Sequence, residues 1–204
     1  MNQVCGTEGY AESAREFVRV SQYLDFFEVC REYLPFLPPT PARVLDVGSG
    51  VGQNSNALAE LGYRVTAVEP VPAFRLTARK YYPRPGIKWL EGNLPRLECL
   101  DYCDTRYEFI LVEGVWHHLN ERERAVAMKR ISDLLLAGGR CALSLRNGPP
   151  GLGSRVFPTS VTETVHLFKK MGLHCIHESR NQPSIFKHKE NVKWGRLVIE
   201  KPDR

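Results

Sequence analysis

No stretch of this 204-residue chain approaches the roughly 20 unbroken apolar residues that a membrane-spanning helix needs. Contact with a membrane is therefore not expected. The opening residues, MNQVCGTEGYAESAREF, lack a basic segment followed by an apolar one, so no secretory signal is expected and the protein is read as cytoplasmic. No CxxC pair occurs among the six cysteines, Cys5, Cys30, Cys99, Cys103, Cys141 and Cys175. The nearest two, in CLDYC, stand four apart and have no Cys or His pair at finger spacing to complete a site, so no metal is expected. The thiols are read as reduced, with Cys141 in RCALSL packing as a small core hydrophobe. Internal repeats and low-complexity tracts are missing too. Nor does one sign of charge dominate: 28 Lys and Arg against 23 Asp and Glu leave a net charge of +5, spread along the chain. The densest basic patch, FKHKENVKWGR at Phe186–Arg196, reads as a solvated loop rather than one end of a nucleic-acid face, so nucleic acid is not an expected partner.

What is present is an ordinary globular balance, 43% hydrophobic and 25% charged, at a length that suits one domain spanning 1–204. Between Ala11 and Phe36 the apolar residues Phe17, Val20, Leu24, Phe27, Cys30 and Leu34 recur at spacings of three and four, which predicts an amphipathic helix. PFLPPTPA then stops it. Residues 1–40 are thus expected to form a helical flap, and 41–204 an α/β core. In that core, strands are predicted at ARVLDVG, YRVTAVEP, GIKWLEG, YEFILVEGV and RCALSLRNG. Helices are predicted at QNSNALAELG, AFRLTARKYY, ERERAVAMKRISDLLLAGG and VTETVHLFKKMG, the last capped by Ser160 or Thr162. LHCIHES and WGRLVIEK complete seven strands without a helix between them, so one of the two is expected to run antiparallel at the edge. The pattern predicts a doubly wound, mostly parallel sheet with its site at the carboxyl ends of the strands. Two long loops, Asn147–Thr159 and about Ser179–Val192, reach that site only if they fold back over it.

RVLDVGSGVGQ at Arg43–Gln53 is the most informative stretch. Its glycines stand at alternate positions, Gly48, Gly50 and Gly52. The dinucleotide fingerprint G-x-G-x-x-G/A wants a small residue where Gln53 stands, and no Gly-Lys-Ser/Thr follows for a P-loop. Asp46 lies two residues before Gly48, and Glu69 closes the second strand.

VLDVGSGVG resembles the first motif of the class I S-adenosylmethionine-dependent methyltransferases, and VTAVEP resembles their acidic second motif. LEGNLPRL is similar to the family's third segment, where an Asp or Asn meets the adenine. YEFILVEGVWHHL, then LLLAGGRCALSL, look like the fourth strand and the helix, Gly-Gly and strand that follow it. The resemblance runs from about Leu45 to Leu145 with the motifs in order, and is closer to small bacterial members with a VWHHL, GGR and SLR pattern. It implies a Rossmann-like seven-stranded sheet with an antiparallel last strand and S-adenosyl-L-methionine as cofactor.

On that reading Glu69 accepts both ribose hydroxyls. Gly48 and Gly50 let the backbone approach the tail and ribose, with Ser49 between them. Asp46 orders the tail's ammonium directly or through water. Asn93 meets the adenine edge beside the Leu94 amide, while Pro70, Leu94 and Val115 supply apolar contact to the ring. Asn93 departs from the commoner Asp, keeping an acceptor and losing a charge. Glu113 can contact the tail or the acceptor. His118 and His117, directly after the fourth strand, are the candidate bases. Arg146 can fix an acidic acceptor, or else pair with Glu113. Tyr10 is a candidate flap residue, Tyr23 is expected in the core, and Trp194 is expected to pack the last hairpin.

The acceptor is read as a small molecule methylated on O or N, since no appended substrate domain is visible. An RNA or protein methyltransferase, a non-catalytic nucleotide-binding module and an NAD-dependent dehydrogenase stay open as alternatives. Against the first stand the scattered charges and the missing DPPY, NPPY and Pro-Cys motifs. Against the last stands Gln53.

Overall fold

Val44 and Leu45 are adjacent, point to opposite faces of a strand, and are both fully buried. The same holds for Ile110 beside Leu111, and for Ala142 beside Leu143. Strands apolar on both faces need cover on both sides, which is what a parallel sheet flanked by helices supplies. A computed structural model describes residues 6–10, 12–21, 23–102, 104–185 and 189–203 of the chain. Cys5, Ala11, Cys103 and the start of the basic patch, 186–188, lie outside the described residues.

In chain order the strands are β1 (Arg43–Val47), β2 (Arg64–Val68), β3 (Ile87–Leu90), β4 (Tyr107–Val112), β5 (Leu135–Asn147), β6 (His174–Pro183) and β7 (Lys193–Glu200). The helices are α1 (Ala14–Ser21), α2 (Phe26–Val29), α3 (Gln53–Glu60), α4 (Pro72–Tyr81), α5 (Glu121–Leu134) and α6 (Val161–Lys170). One sheet runs β3-β2-β1-β4-β5-β7-β6, with β7 antiparallel to both neighbours. Seven strands and an antiparallel last strand match the expectation. Its placement at the edge does not: β7 lies inside the sheet and β6 forms the edge. The reason is in the side chains. Leu197, Val198 and Ile199 are buried in succession, as an inner strand requires, whereas no residue of β6 is buried and its last four are all exposed.

Two apolar layers sandwich the sheet. One packs Leu45, Ile110, Cys141 and Leu143 against Met128 and Ile131 of α5 and Phe168 of α6. The other packs Val44, Phe109 and Ala142 against Phe26, Tyr33 and Leu58 from the α2 and α3 side.

Three predicted elements differ. The long N-terminal helix is broken, because Asp25 accepts the Glu28 amide at 3.0 Å and so starts a new helix instead of continuing one. Phe27 is then left half-exposed, and Tyr23, expected in the core, is 80% exposed. The helix predicted through LLLAGG stops at Leu134. Leu135 turns extended to pair with Tyr107, and the Gly138 amide donates to the Lys201 carbonyl at 2.8 Å, so this Gly-Gly segment opens β5. β6 runs on to Pro183, four residues beyond the predicted strand, and shortens the second long loop.

Candidate active site

Between β1 and β4 the order of the strands reverses, and their carboxyl ends splay apart around a cavity of about 290 Å³. Val47–Gly50, Glu69–Val71, Asn93–Leu94 and Glu113–Val115 form one wall of it. Every residue expected to hold the cofactor therefore lines the cavity except Asp46. Asp46 is buried beneath the loop, where its Oδ2 accepts the Ser55 hydroxyl at 2.6 Å.

The glycine loop is folded onto its own chain. The Gly48 and Ser49 amides donate to the Val68 carbonyl at 2.8 and 3.1 Å, and the Gly52 amide to the Ser49 carbonyl at 3.0 Å. The Gly50 amide donates to Glu69 Oε2 at 2.9 Å, and the Val71 amide to Glu69 Oε1 at 2.8 Å. Two glycines answer to packing rather than to a ligand. A Cβ on Gly48 would lie 2.3 Å from Val115 Cγ2, and one on Gly52 would lie 2.6 Å from the Trp89 ring. Both residues also sit at positive φ, 70° and 91°. G-x-G-x-G thus has its third glycine where α3 presses on α4 and β3.

This wall concentrates acids. Burial pushes the Glu69 carboxyl up to about 7, although the two amides and Arg75 pull the other way. Arg75 also clasps the end of β2, its Nη1 donating to the carbonyls of Glu69 and Pro70 at 2.7 and 2.8 Å. Glu113 is likewise raised to about 7 by burial, against the charge of Arg196 and hydrogen bonds from Ser144 and Tyr33, the Tyr33 hydroxyl at 3.3 Å. Burial lifts Asp46 to about 6. Acids held in this way are relieved by a cation or by hydroxyl donors, and a pyrophosphate would meet their repulsion instead.

The opposite wall is assembled from distant parts of the chain. The loops after β5 and β6 do fold back: Leu152, Gly153 and Val156 line it, as do Ile185 and Lys189. From the N-terminal segment come Tyr10 and Phe17, which form an aromatic cluster with Phe74 of α4 at ring separations of 4.4 to 5.9 Å. His117, His118 and Arg146 complete the wall. His118 Nδ1 lies 2.6 Å from the Arg155 carbonyl, which can only accept, so Nδ1 carries the proton. Nε2 then accepts the Tyr10 hydroxyl at 3.0 Å. Burial lowers both histidines below the ordinary range, so both are neutral at pH 7. His117 Nδ1 is buried with no partner.

Three expectations change here, and one residue is new. Trp194 lines the cavity and meets the His117 ring edge-on at 6.2 Å, rather than only packing the hairpin. Arg146 does not pair with Glu113; its Nη2 donates to the Pro149 carbonyl at 2.7 Å. The basic patch is not simply a solvated loop, because Arg196 is buried on β7, holds Glu32 at 3.3 Å and lines the cavity. Arg155 was missed altogether. It bonds the His118 carbonyl, both oxygens of Glu123 at 3.0 Å, and Glu8 at 3.7 Å. Glu123 is also half of the capping box that starts α5. No sequence pattern marks such a clasp, since its partners lie 32 to 147 residues away.

Of seven buried side-chain polar atoms left without a partner among the described residues, four belong to Ser49, Gln53, His117 and Arg196, which all line this cavity. A buried orphan costs about 1–3 kcal/mol, so their concentration here marks a cavity built for a polar ligand. The residues fit S-adenosylmethionine: a diol and a cation opposite Glu69 and Glu113, and an adenine beside Asn93, whose Nδ2 donates to the Leu94 carbonyl at 2.7 Å and leaves Oδ1 as an acceptor.

Residues 45–143 match a family model described as a methyltransferase domain. An uncharacterized methyltransferase of Mycobacterium tuberculosis is 31% identical over 107 residues, 52% of this chain and 41% of the relative. The chain thus spans about two fifths of the length of such curated relatives. Among solved structures, a TehB-like SAM-dependent methyltransferase from Corynebacterium glutamicum superposes with a TM-score of 0.65 at 20% identity, covering 94% of this chain and 96% of that one. The 1,6-didemethyltoxoflavin-N1-methyltransferase of Burkholderia thailandensis gives 0.69 at 20%, covering 95% and 86%. Motif order and sheet topology agree with that match, and residues 45–143 are similar to a methyltransferase domain.

Proposed function

We propose that the protein transfers a methyl group from S-adenosylmethionine to an oxygen or nitrogen of a small molecule. The observation that carries the reading is the closed loop after β1. The amides of Gly48, Ser49, Gly50 and Gly52 are spent on Val68, Glu69 and Ser49, so this loop offers no phosphate cradle, while the Glu69 carboxylate stands at its rim. Each carboxylate oxygen carries two acceptor sites, so Glu69 keeps one on each for a ribose hydroxyl. Asn93 Oδ1 takes an adenine N–H, and Glu113 with the Ser49 hydroxyl takes the ammonium tail. Asp46 acts at one remove, holding the loop through Ser55. The cofactor, when bound, supplies an electrophilic methyl on a positively charged sulfur.

The chain's own part is alignment and proton removal. Holding two reactants in line is worth roughly 7–11 kcal/mol. His117 is the proton acceptor we favour over His118, because the His117 ring lines the cavity and makes no hydrogen bond among the described residues, whereas both nitrogens of His118 are engaged. His118 is then a positioning residue that fastens Tyr10, and with it the N-terminal segment, over the cavity. A small acceptor suits a cavity of this size, and one solved neighbour is named for N1-methylation of 1,6-didemethyltoxoflavin.

Calorimetry with adenosylhomocysteine and NAD tests the pocket. Tight binding of the first and none of the second is expected, and NAD binding would overturn the assignment. Incubation with methyl-labelled cofactor and separated cell fractions tests the acceptor. Label should enter the small-molecule fraction; label in RNA or protein would move the acceptor to those classes.

A further inference from the structure

Most arginines near this cavity are matched by carboxylates; among the described residues, Arg124, held by the carbonyls of Trp116, Phe157 and Pro158, and Arg146 are not. Arg155 has Glu123 and Glu8, Arg196 has Glu32, and Arg75 has Glu91. Arg146, at the cavity end of β5, is only 9% exposed, and its hydrogen bond goes to a neutral carbonyl, that of Pro149. Among the described residues, the acidic group that acts on it is the Tyr10 hydroxyl, whose burial holds its proton on up to about 12. A second cation, Lys189, lines the cavity close enough to feel the Arg146 charge. A buried guanidinium without an anion is costly, and a ligand that supplies the anion recovers that cost. The surfaces around it are apolar and aromatic: Tyr10, Leu152, Val156, Ile185 and Trp194.

We infer that the methyl acceptor is an aromatic acid, gripped at its carboxylate by Arg146 beside Lys189 and presenting a neutral O–H or N–H to His117. The inference rests on the methyltransferase reading above. A planar carboxylate matches the guanidinium fork in a two-point contact, and the flat apolar walls take the ring. The carboxylate is the handle and not the reacting group, because an ionised carboxylate needs no base and the same wall holds an unpartnered His117 Nδ1. In the transfer, the acceptor's O–H or N–H gives its proton to the His117 ring, and its lone pair forms the new bond to the methyl carbon. The carbon–sulfur bond breaks with its electron pair kept on sulfur, leaving neutral adenosylhomocysteine.

The test uses matched probes on protein saturated with adenosylhomocysteine: 4-hydroxybenzoate, 4-hydroxyphenylacetate and anthranilate, each against its carboxamide, by calorimetry. At least one acid should bind tenfold or more tighter than its amide, and Arg146→Gln should shrink that preference below threefold. Arg146→Lys, which keeps the charge and loses the fork, should fall between. Adenosylhomocysteine affinity, measured first for every variant, reports whether the fold and cofactor wall are intact. Absence of that binding in the wild type sinks the methyltransferase reading itself. Normal cofactor binding with no acid preferred over its amide, or with a preference that survives Arg146→Gln, overturns this inference alone.

Discussion

The two walls of the cavity are built by opposite means. The cofactor wall comes from four consecutive strand ends and is stitched by backbone bonds, such as Gly48 and Ser49 to Val68, across hydrogen-bonded strands. The wall assigned to the acceptor comes from Tyr10, Phe17, His117, Arg146, Leu152 and Trp194, far apart in the chain, and is tied by side chains, chiefly Arg155 and the Tyr10–His118 bond. A wall stitched by backbone depends on strand order, which the fold fixes. One tied by side chains can change its chemistry without disturbing the sheet, and this is where the proposed function puts acceptor choice.

If the walls are separable, substitutions in one should spare the other's function. The largest effect is expected at the proton acceptor. His117→Ala should reduce methyl transfer by about 10²–10⁴-fold while leaving adenosylhomocysteine affinity within a few-fold, measured by labelled transfer and calorimetry. A parallel collapse of cofactor affinity would merge the two walls. Next comes Glu69→Ala, which removes charged hydrogen bonds worth about 1.5–3 kcal/mol each and should weaken adenosylmethionine on the order of 100-fold by calorimetry. Unchanged affinity there would remove the ribose role.

A smaller effect is expected from pH. Glu69 and Glu113 are both raised to about 7, so each is mostly protonated at pH 6 and mostly ionised at pH 8. A ligand that needs the ionised forms binds more tightly as pH rises through that range, by about tenfold or more, and expels protons on binding near pH 6–7. Calorimetry in buffers of different ionisation heat counts those protons; uptake instead of release would contradict the sign. The smallest effect belongs to the clasp. Arg155→Ala should speed proteolytic cutting near residues 6–21 and cut transfer several-fold, with cofactor affinity nearly unaltered. Equal proteolysis in variant and parent would leave Arg155 a surface residue.

The contrast between walls also explains what the sequence disclosed. The succession of strands and helices along the chain and the cofactor wall were readable because their signals are local: apolar runs of five or six residues, a glycine loop, an acid at a strand end. Even so, spacing alone gives no reason for Gly52, whose demand comes from Trp89, far along the chain. Asp46 read as a ligand residue and lies behind the loop. The inner position of β7 was present in the unbroken RLVI run and was overlooked for the simpler hairpin at an edge. Boundaries failed where tertiary pairing overrode propensity, as when Leu135 left a helical pattern to pair with Tyr107. The acceptor wall was the least legible part. Tyr10, His118 and Arg146 were identified singly, but the Tyr10–His118 bond, the Arg155 clasp and the turn of Trp194 toward His117 link residues whose pairing no periodicity encodes.

The most direct measurement is a crystal structure of the protein grown with adenosylhomocysteine. The account predicts the nucleoside between β1 and β4, with the two ribose hydroxyls on the Glu69 carboxylate and the Gly48 and Ser49 amides still bonded to Val68. A nucleoside bound elsewhere, or a ribose held without Glu69, would contradict it.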